Sequence, residues 1–169
     1  MGLLTSAEIV SAFDALNARL AARGESAELA VVGGAVMCLA FDARPATKDV
    51  DAWFAPSETV RAAAREVADE LGLPSDWLND AAKAFVPPNA SFELYREWPH
   101  LRVALADART LFAMKAAAAR TLEDAADLRF LLGRLGIRTA EEALRVVLEF
   151  FPAERLPIRT QLLIEELFE

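Results

Sequence analysis

The chain has 169 residues, 54% apolar and 26% charged, enough for one domain, or one domain with a helical extension, to bury a sizeable core. Its net charge of −8 disfavours a general electrostatic grip on nucleic acid, although a nucleic-acid end can still enter a locally basic or metal-filled site. A single cysteine, Cys38, excludes an internal disulfide, and a single histidine, His100, excludes a zinc-ligand cluster, so a reducing cytoplasm is the expected setting.

Met1-Gly2 with Ser6 formally matches a myristoylation pattern, but Thr5 with Glu8 three residues later is the better match, a capping box for a helix that follows at once. No secretory signal is read there. From Ser6 to about Arg23, Ile9, Phe13, Leu16 and Leu20 recur at helical spacing, and Gly24 supplies the stop. This helix is expected to cover one face of a sheet.

Ala27 to Val32 reads as the first strand, Gly33-Gly34 as a turn, and the residues up to about Phe41 as a short apolar helix. The longest uncharged apolar run, Leu29 to Phe41, contains both glycines and is well short of the roughly 20 residues a membrane span needs. Asp42 to Lys48 is a loop, with Pro45 disfavouring helix at Arg44. A second strand follows from about Asp49 to Phe54. Because strand side chains alternate, Asp49 and Asp51 share one face while Val50 and Ala52 take the other.

Two carboxylates aimed at one point repel unless a cation lies between them. Hard divalent ions such as Mg2+ are held by one or two carboxylates plus the phosphates of a substrate. The glycine pair lets a backbone approach a ligand with no Cβ in the way, and the helix beginning there offers N–H groups to a phosphate.

Further on, Pro56-Ser57 opens a helix with Val60, Ala64, Val67 and Leu71 on one stripe, closed by Gly72. Asp76 to Ala81 reads as a short helix or an ordered loop, and Pro87-Pro88-Asn89 as a break. Ser91 to Tyr95 and Leu101 to Leu105 look like an antiparallel strand pair. The remainder is helical. An Ala-rich helix runs from Asp107 to about Arg120, and Thr121 with Asp124 starts another that ends at Gly133 or Gly136. Thr139 to Phe151 and Pro157 to Phe168 complete this half. The expected fold class is therefore α+β: a small mixed sheet flanked by helices over residues 1–106, then a helical region over 107–169.

At Gly33-Gly34, Arg44, Thr47, Asp49 and Asp51 the chain resembles the nucleotidyltransferase superfamily of polymerase-β-like fold, whose signature is a Gly-Gly or Gly-Ser turn followed by an acid-x-acid pair. It is most similar to the AbiEii/MenT-type and related bacterial branch, with Lys115, Arg120, Asp124 and Asp127 matching that branch's later lysine, arginine and acids. The likeness spans residues 28 to 132 by pattern. It implies Mg2+-dependent transfer of a nucleoside monophosphate from a nucleoside triphosphate to an acceptor hydroxyl on tRNA, protein or a small molecule. In that reading Asp49 and Asp51 hold the metal, and Gly33, Gly34 and Thr47 meet the triphosphate. Lys115 neutralises phosphate charge, the helical region closes over the nucleotide, and Asp127 with Asp124 anchors that second half. The implied setting is a toxin–antitoxin or phage-defence system, with an antitoxin or like subunit as partner. The chain departs from the superfamily at the third carboxylate, absent from Leu101 to Leu105; Glu93 and Asp107 are the nearest candidates. That departure supports the alternative of a catalytically inactive nucleotide- or partner-binding relative, an antitoxin or sensor; a third reading is a plain interaction module with a vestigial site.

Plainer readings stand beside these. Lys115 can snorkel to solvent. Arg120, Asp124 and Asp127 have the spacing of ordinary surface ion pairs. Arg44 can cap the carbonyl end of the short helix. Trp53, Trp77 and Trp98 are expected in core or inter-element packing rather than as base-stacking platforms, Cys38 as a buried small hydrophobe, and His100 in a structural or surface role.

Overall fold

The computed structural model describes residues 2–169, except the side chains of Thr121 and Leu122. It is an α+β fold with a helical C-terminal half. Contacts divide the chain into two compact units, Met1–Ala84 with Phe92–Ala106 and Phe85–Ser91 with Asp107–Glu169. The sequence places a single boundary, after residue 106.

In the first unit a short strand β1 (Leu4–Thr5) leads into helix α1 (Ser6–Ala22), and both halves of the expected Thr5/Glu8 capping box are present. The helix buries Ile9, Phe13, Leu16 and Leu20 completely, the four positions marked by its periodicity. Strand β2 (Ala27–Val32), helix α2 (Gly34–Leu39), strand β3 (Ala46–Thr47) and strand β4 (Val50–Ala55) follow. Helix α3 (Ser57–Leu71) ends on Gly72, whose φ of +68° is the left-handed conformation that closes helices.

Asp76 to Ala81 is not a helix. It holds a turn and strand β5 (Leu78–Asn79), which adds to β4 in parallel. Trp77 enters the core here, fully buried, with its indole N–H donating to the Ala64 carbonyl at 2.9 Å. That satisfied donor anchors the segment against α3. Strands β6 (Phe92–Glu97) and β7 (Leu101–Ala106) form the expected antiparallel pair, with a bulge between Leu94 and Arg96.

These strands make one sheet in the order β5-β4-β2-β7-β6, while β1 and β3 pair separately. The sheet has two unlike faces. Leu29, Val31, Val50, Ala52, Phe54, Leu101, Val103 and Leu105 form a closed face, at most 5% exposed, over which α1 and α3 pack. Alternation turns Ala30, Asp51, Trp53, Leu94, Arg102 and Ala104 to the other, open face.

In the second unit helix α4 (Ala108–Ala118) is N-capped by Asp107, whose carboxylate accepts from Thr110 N at 2.8 Å. Helix α5 (Thr121–Leu135) passes through Gly133 and stops at Gly136, φ +68°. The expected capping role of the Thr121 side chain lies outside the described residues. Helix α6 (Ala140–Phe150), N-capped by Thr139, a 3-10 turn (Ala153–Arg155) and helix α7 (Ile158–Glu166) complete the unit. Its core joins Leu111 and Phe112 of α4 to Leu128 and Leu131 of α5, Val147 of α6 and Ile164 of α7. Among the described residues no helix is long and apolar enough to cross a membrane.

Candidate functional site

The candidate site begins where β2 stops. Val32 pairs with Asp51 on β4, so the following Gly33 meets the Asp51 side chain. Gly33 adopts φ +73° and ψ −154°, a region essentially reserved for glycine, and a Cβ there would stand 3.4 Å from Asp51 Oδ2. Gly34 is glycine for a different reason. A Cβ on it would lie 2.5 Å from Arg44 Nη1 and 2.7 Å from Thr47 Oγ1, inside the space those atoms occupy. One glycine supplies a dihedral angle and the other supplies room.

The loop carrying Arg44 and Thr47 is tied down. Ala43 N donates to the Met37 carbonyl at 3.0 Å, Leu4 of β1 pairs with Thr47, and Ser6 Oγ donates to the Cys38 carbonyl at 3.0 Å. Arg44 therefore holds its guanidinium beside the first residue of α2, not at the helix's carbonyl end as the capping alternative required. Thr47 is buried and donates to the Asp49 carbonyl at 3.3 Å.

Asp49 lies just before β4 and Asp51 on it, both half-buried. Asn79 of β5 is the register partner of Asp51, and its amide Nδ2 donates to Asp49 Oδ2 at 3.2 Å. The Asn79 Oδ1 in turn accepts from Ala81 N at 3.2 Å, which fixes the amide's orientation. Gly33, Gly34, Arg44, Thr47, Asp49, Asp51 and Asn79 are thus gathered at one end of β2, β4 and β5. Asn79 escaped the sequence reading because a two-residue strand carries no period. The donor set suits a hard divalent ion: two carboxylates, one of them oriented by an amide, with remaining positions left to substrate oxygens and water.

A third carboxylate does not come from Glu93. It pairs with Leu105, which pairs with Val31, which pairs with Ala52, so Glu93 falls in register with the closed face and away from Asp51. Asp107 belongs to the second unit and caps α4. Among the described residues no group of three or more His, Cys, Asp or Glu is arranged to hold a metal ion.

Lys115, Arg120, Asp124 and Asp127 come together in the second unit as an ion cluster. Lys115 Nζ lies 2.7 Å from Asp124 Oδ1 and 2.9 Å from Asp127 Oδ2, and Arg120 Nε donates to Asp124 Oδ2 at 3.0 Å. The Lys115, Asp124 and Asp127 side chains are at most 6% exposed. Two expectations are corrected. Lys115 does not snorkel, and its ammonium meets two carboxylates. The acids are buried partners, not surface ion pairs, because a lysine buried among alanines needs counter-charges within hydrogen-bond reach.

Trp77 is buried, and Trp98 packs edge-on against Phe13 with its N–H donating to Asp14 Oδ1 at 2.7 Å. Trp53 departs from the packing expectation at 53% exposed, because it lies two residues beyond Asp51 on the open face. Cys38 is buried. His100 has a structural role, its backbone N donating to Asn17 Oδ1 at 2.8 Å and its ring Nδ1 lying 2.9 Å from the Glu25 carbonyl. Comparison of the chain with protein-family models, curated proteins and solved structures gives no match.

Proposed function

We propose that this chain is a Mg2+-dependent nucleotidyltransferase of the polymerase-β-like, AbiEii/MenT-type branch, transferring a nucleoside monophosphate from a nucleoside triphosphate to an acceptor hydroxyl. The observation that carries this reading is the seating of a bare-backbone Gly33-Gly34 turn against Asp51 on one side and against Arg44 and Thr47 on the other. A carboxylate pair alone would be an ordinary polar strand end. Joined to a Cβ-free turn and an arginine, it becomes a place where a polyphosphate would lie between the Arg44 guanidinium and a cation held by the acids.

Each residue has a task in this reading. The Gly33 and Gly34 backbone approaches the phosphates, and the Arg44 guanidinium offsets their charge. Thr47 braces the turn through the Asp49 carbonyl, and Asn79 holds the Asp49 carboxylate in orientation. Asp49 and Asp51 would hold magnesium, which when bound offsets charge on the phosphate oxygens as the bond to pyrophosphate breaks. Lys115, Asp124, Asp127 and Arg120 brace the helical unit. The setting implied is a bacterial cytoplasm, with the chain acting as the toxin of a toxin–antitoxin or phage-defence pair and an antitoxin as its partner.

The test is radiolabel transfer from each of the four nucleoside triphosphates into tRNA, protein and small acceptors. Transfer that Asp49→Ala and Asp51→Ala each abolish is the expected result. No transfer by the wild-type chain with any donor, metal or acceptor overturns it. One observation favours a second reading, a nucleotide-binding relative without turnover: Glu93 lies in register with the wrong face. Calorimetry showing Mg2+-dependent nucleotide binding in a chain that transfers nothing would select it. A chain whose melting temperature no nucleotide raises fits neither, since binding to the folded state must raise it.

A further inference from the structure

The open face of the sheet carries a side-chain row with an unusual order. Register aligns Trp53 of β4 with Ala30 of β2, Ala30 with Ala104 of β7, and Ala104 with Leu94 of β6. Two large side chains thus stand at the ends of the row with two alanines between them. Strands lie roughly 4.8 Å apart, so the two ends are separated by about 14 Å of backbone with a flat, methyl-covered floor. Trp53 and Leu94 are 53% and 52% exposed, and the groove they border has a volume of about 410 Å³.

The rows on either side differ. One residue pair along β4, roughly 7 Å away, is Asp51. On the opposite side Ala55, Glu28, Arg102 and Glu97 align, a polar row with two acids and one arginine. Glu28 and Arg102 line the groove directly.

We propose that this slot binds the planar ring of the acceptor, a heteroaromatic base carrying an exocyclic amino group, with the ring stacked on Trp53. The assignment rests on the nucleotidyltransferase reading only for the word acceptor. A flat ring fits a floor of two alanines, whereas an apolar peptide face would leave Glu28 and Arg102 buried against carbon. Glu28 accepts from an amino group, and Arg102 donates to a ring nitrogen or carbonyl beside it. The excess of acid in the polar row repels a phosphate there, so the ring, not the backbone of the acceptor, occupies it. Asp51 at the other edge then lies where the acceptor's hydroxyl would meet a triphosphate.

The experiment needs neither metal nor triphosphate. Tryptophan emission of the full chain is followed while adenosine, cytidine or uridine is added into the millimolar range, in wild type, Trp53→Ala, Trp53→Phe and Glu28→Gln. Adenosine and cytidine are expected to quench saturably and uridine, which lacks the amino group, more weakly. Base–aromatic stacking predicts a roughly 5- to 150-fold loss of affinity in Trp53→Ala. Trp53→Phe keeps most of the binding, and Glu28→Gln reduces the preference over uridine. Trp53 is exposed, so unchanged melting temperatures are expected for its variants.

Quenching that persists unchanged in Trp53→Ala, or no saturation with any of the three, overturns the proposal. So does a dimer in sedimentation that Trp53→Ala dissolves, which assigns the face to a second copy. Nucleoside binding without any transfer supports the slot and removes only the enzymatic reading. Transfer with an unchanged acceptor KM in Trp53→Ala removes the slot alone.

Discussion

At the residue scale, the two glycines of the turn make separable predictions. Gly33→Ala forces a Cβ into a conformation that costs about 1–3 kcal/mol, and the expected result is a lower melting temperature. Gly34→Ala has no left-handed backbone to strain but must displace Arg44 and Thr47. Its expected signature is loss of nucleotide-induced thermal stabilisation out of proportion to its own destabilisation, measured by thermal melts with and without Mg2+ and a triphosphate. Asn79→Ala removes the donor to Asp49 Oδ2, and loss of a group that orients a metal-holding carboxylate weakens metal binding roughly 10- to 100-fold. Calorimetric titration of Mn2+ with a non-hydrolysable triphosphate reads this, and wild-type affinity in Asn79→Ala would show that the amide only stitches β5 to β4. The glycine pair and the acid pair were legible in the sequence because both are local patterns. The cause of Gly34 was not, since the atoms that exclude its Cβ come from ten and thirteen residues later. Trp53 was legible and misread: its two-residue offset from Asp51 already put it on the face of the acids.

At the element scale, periodicity located the long helices and the strands to within a residue or two. Segments too short to repeat, β1, β3 and β5, were missed. Each of these short strands matters to the site, with β1 and β3 fixing the loop of Arg44 and Thr47, and β5 delivering Asn79. The α4–α5 connection is held by charge. Removing one partner of a buried ion pair leaves an uncompensated charge and typically costs 3–5 kcal/mol, so Lys115→Met is expected to destabilise the chain by about that much in denaturant unfolding. Adding Asp127→Asn to Lys115→Met should recover part of the loss, because one of the stranded carboxylates is then neutral. A Lys115→Met chain of wild-type stability would remove the cluster's bracing role. The sequence showed these four residues at helical spacing, but spacing alone cannot distinguish a solvated face from a buried one.

For the whole molecule, the charge of −8 predicts no appreciable binding of long RNA at physiological salt, checked by mobility shift, while short nucleosides remain admissible ligands. The second unit includes the segment Phe85–Ser91, which no composition shift announces. Asn89 Nδ2 donates to the Glu149 carbonyl at 2.9 Å, Ser91 N to Thr110 Oγ1 at 3.0 Å, and Asp107 N to the Ser91 carbonyl at 3.0 Å. These partners are remote in sequence and invisible to any local pattern.

That threading orders events during synthesis. The five strands of the larger sheet have left the ribosome once Ala106 has emerged, and Ser91 meets Asp107 and Thr110 directly afterwards, yet Asn89 waits for the Glu149 carbonyl sixty residues behind it. The Pro-Pro-containing strap is therefore fastened in two stages, at Ser91 by the start of α4 and only later at Asn89 by α6.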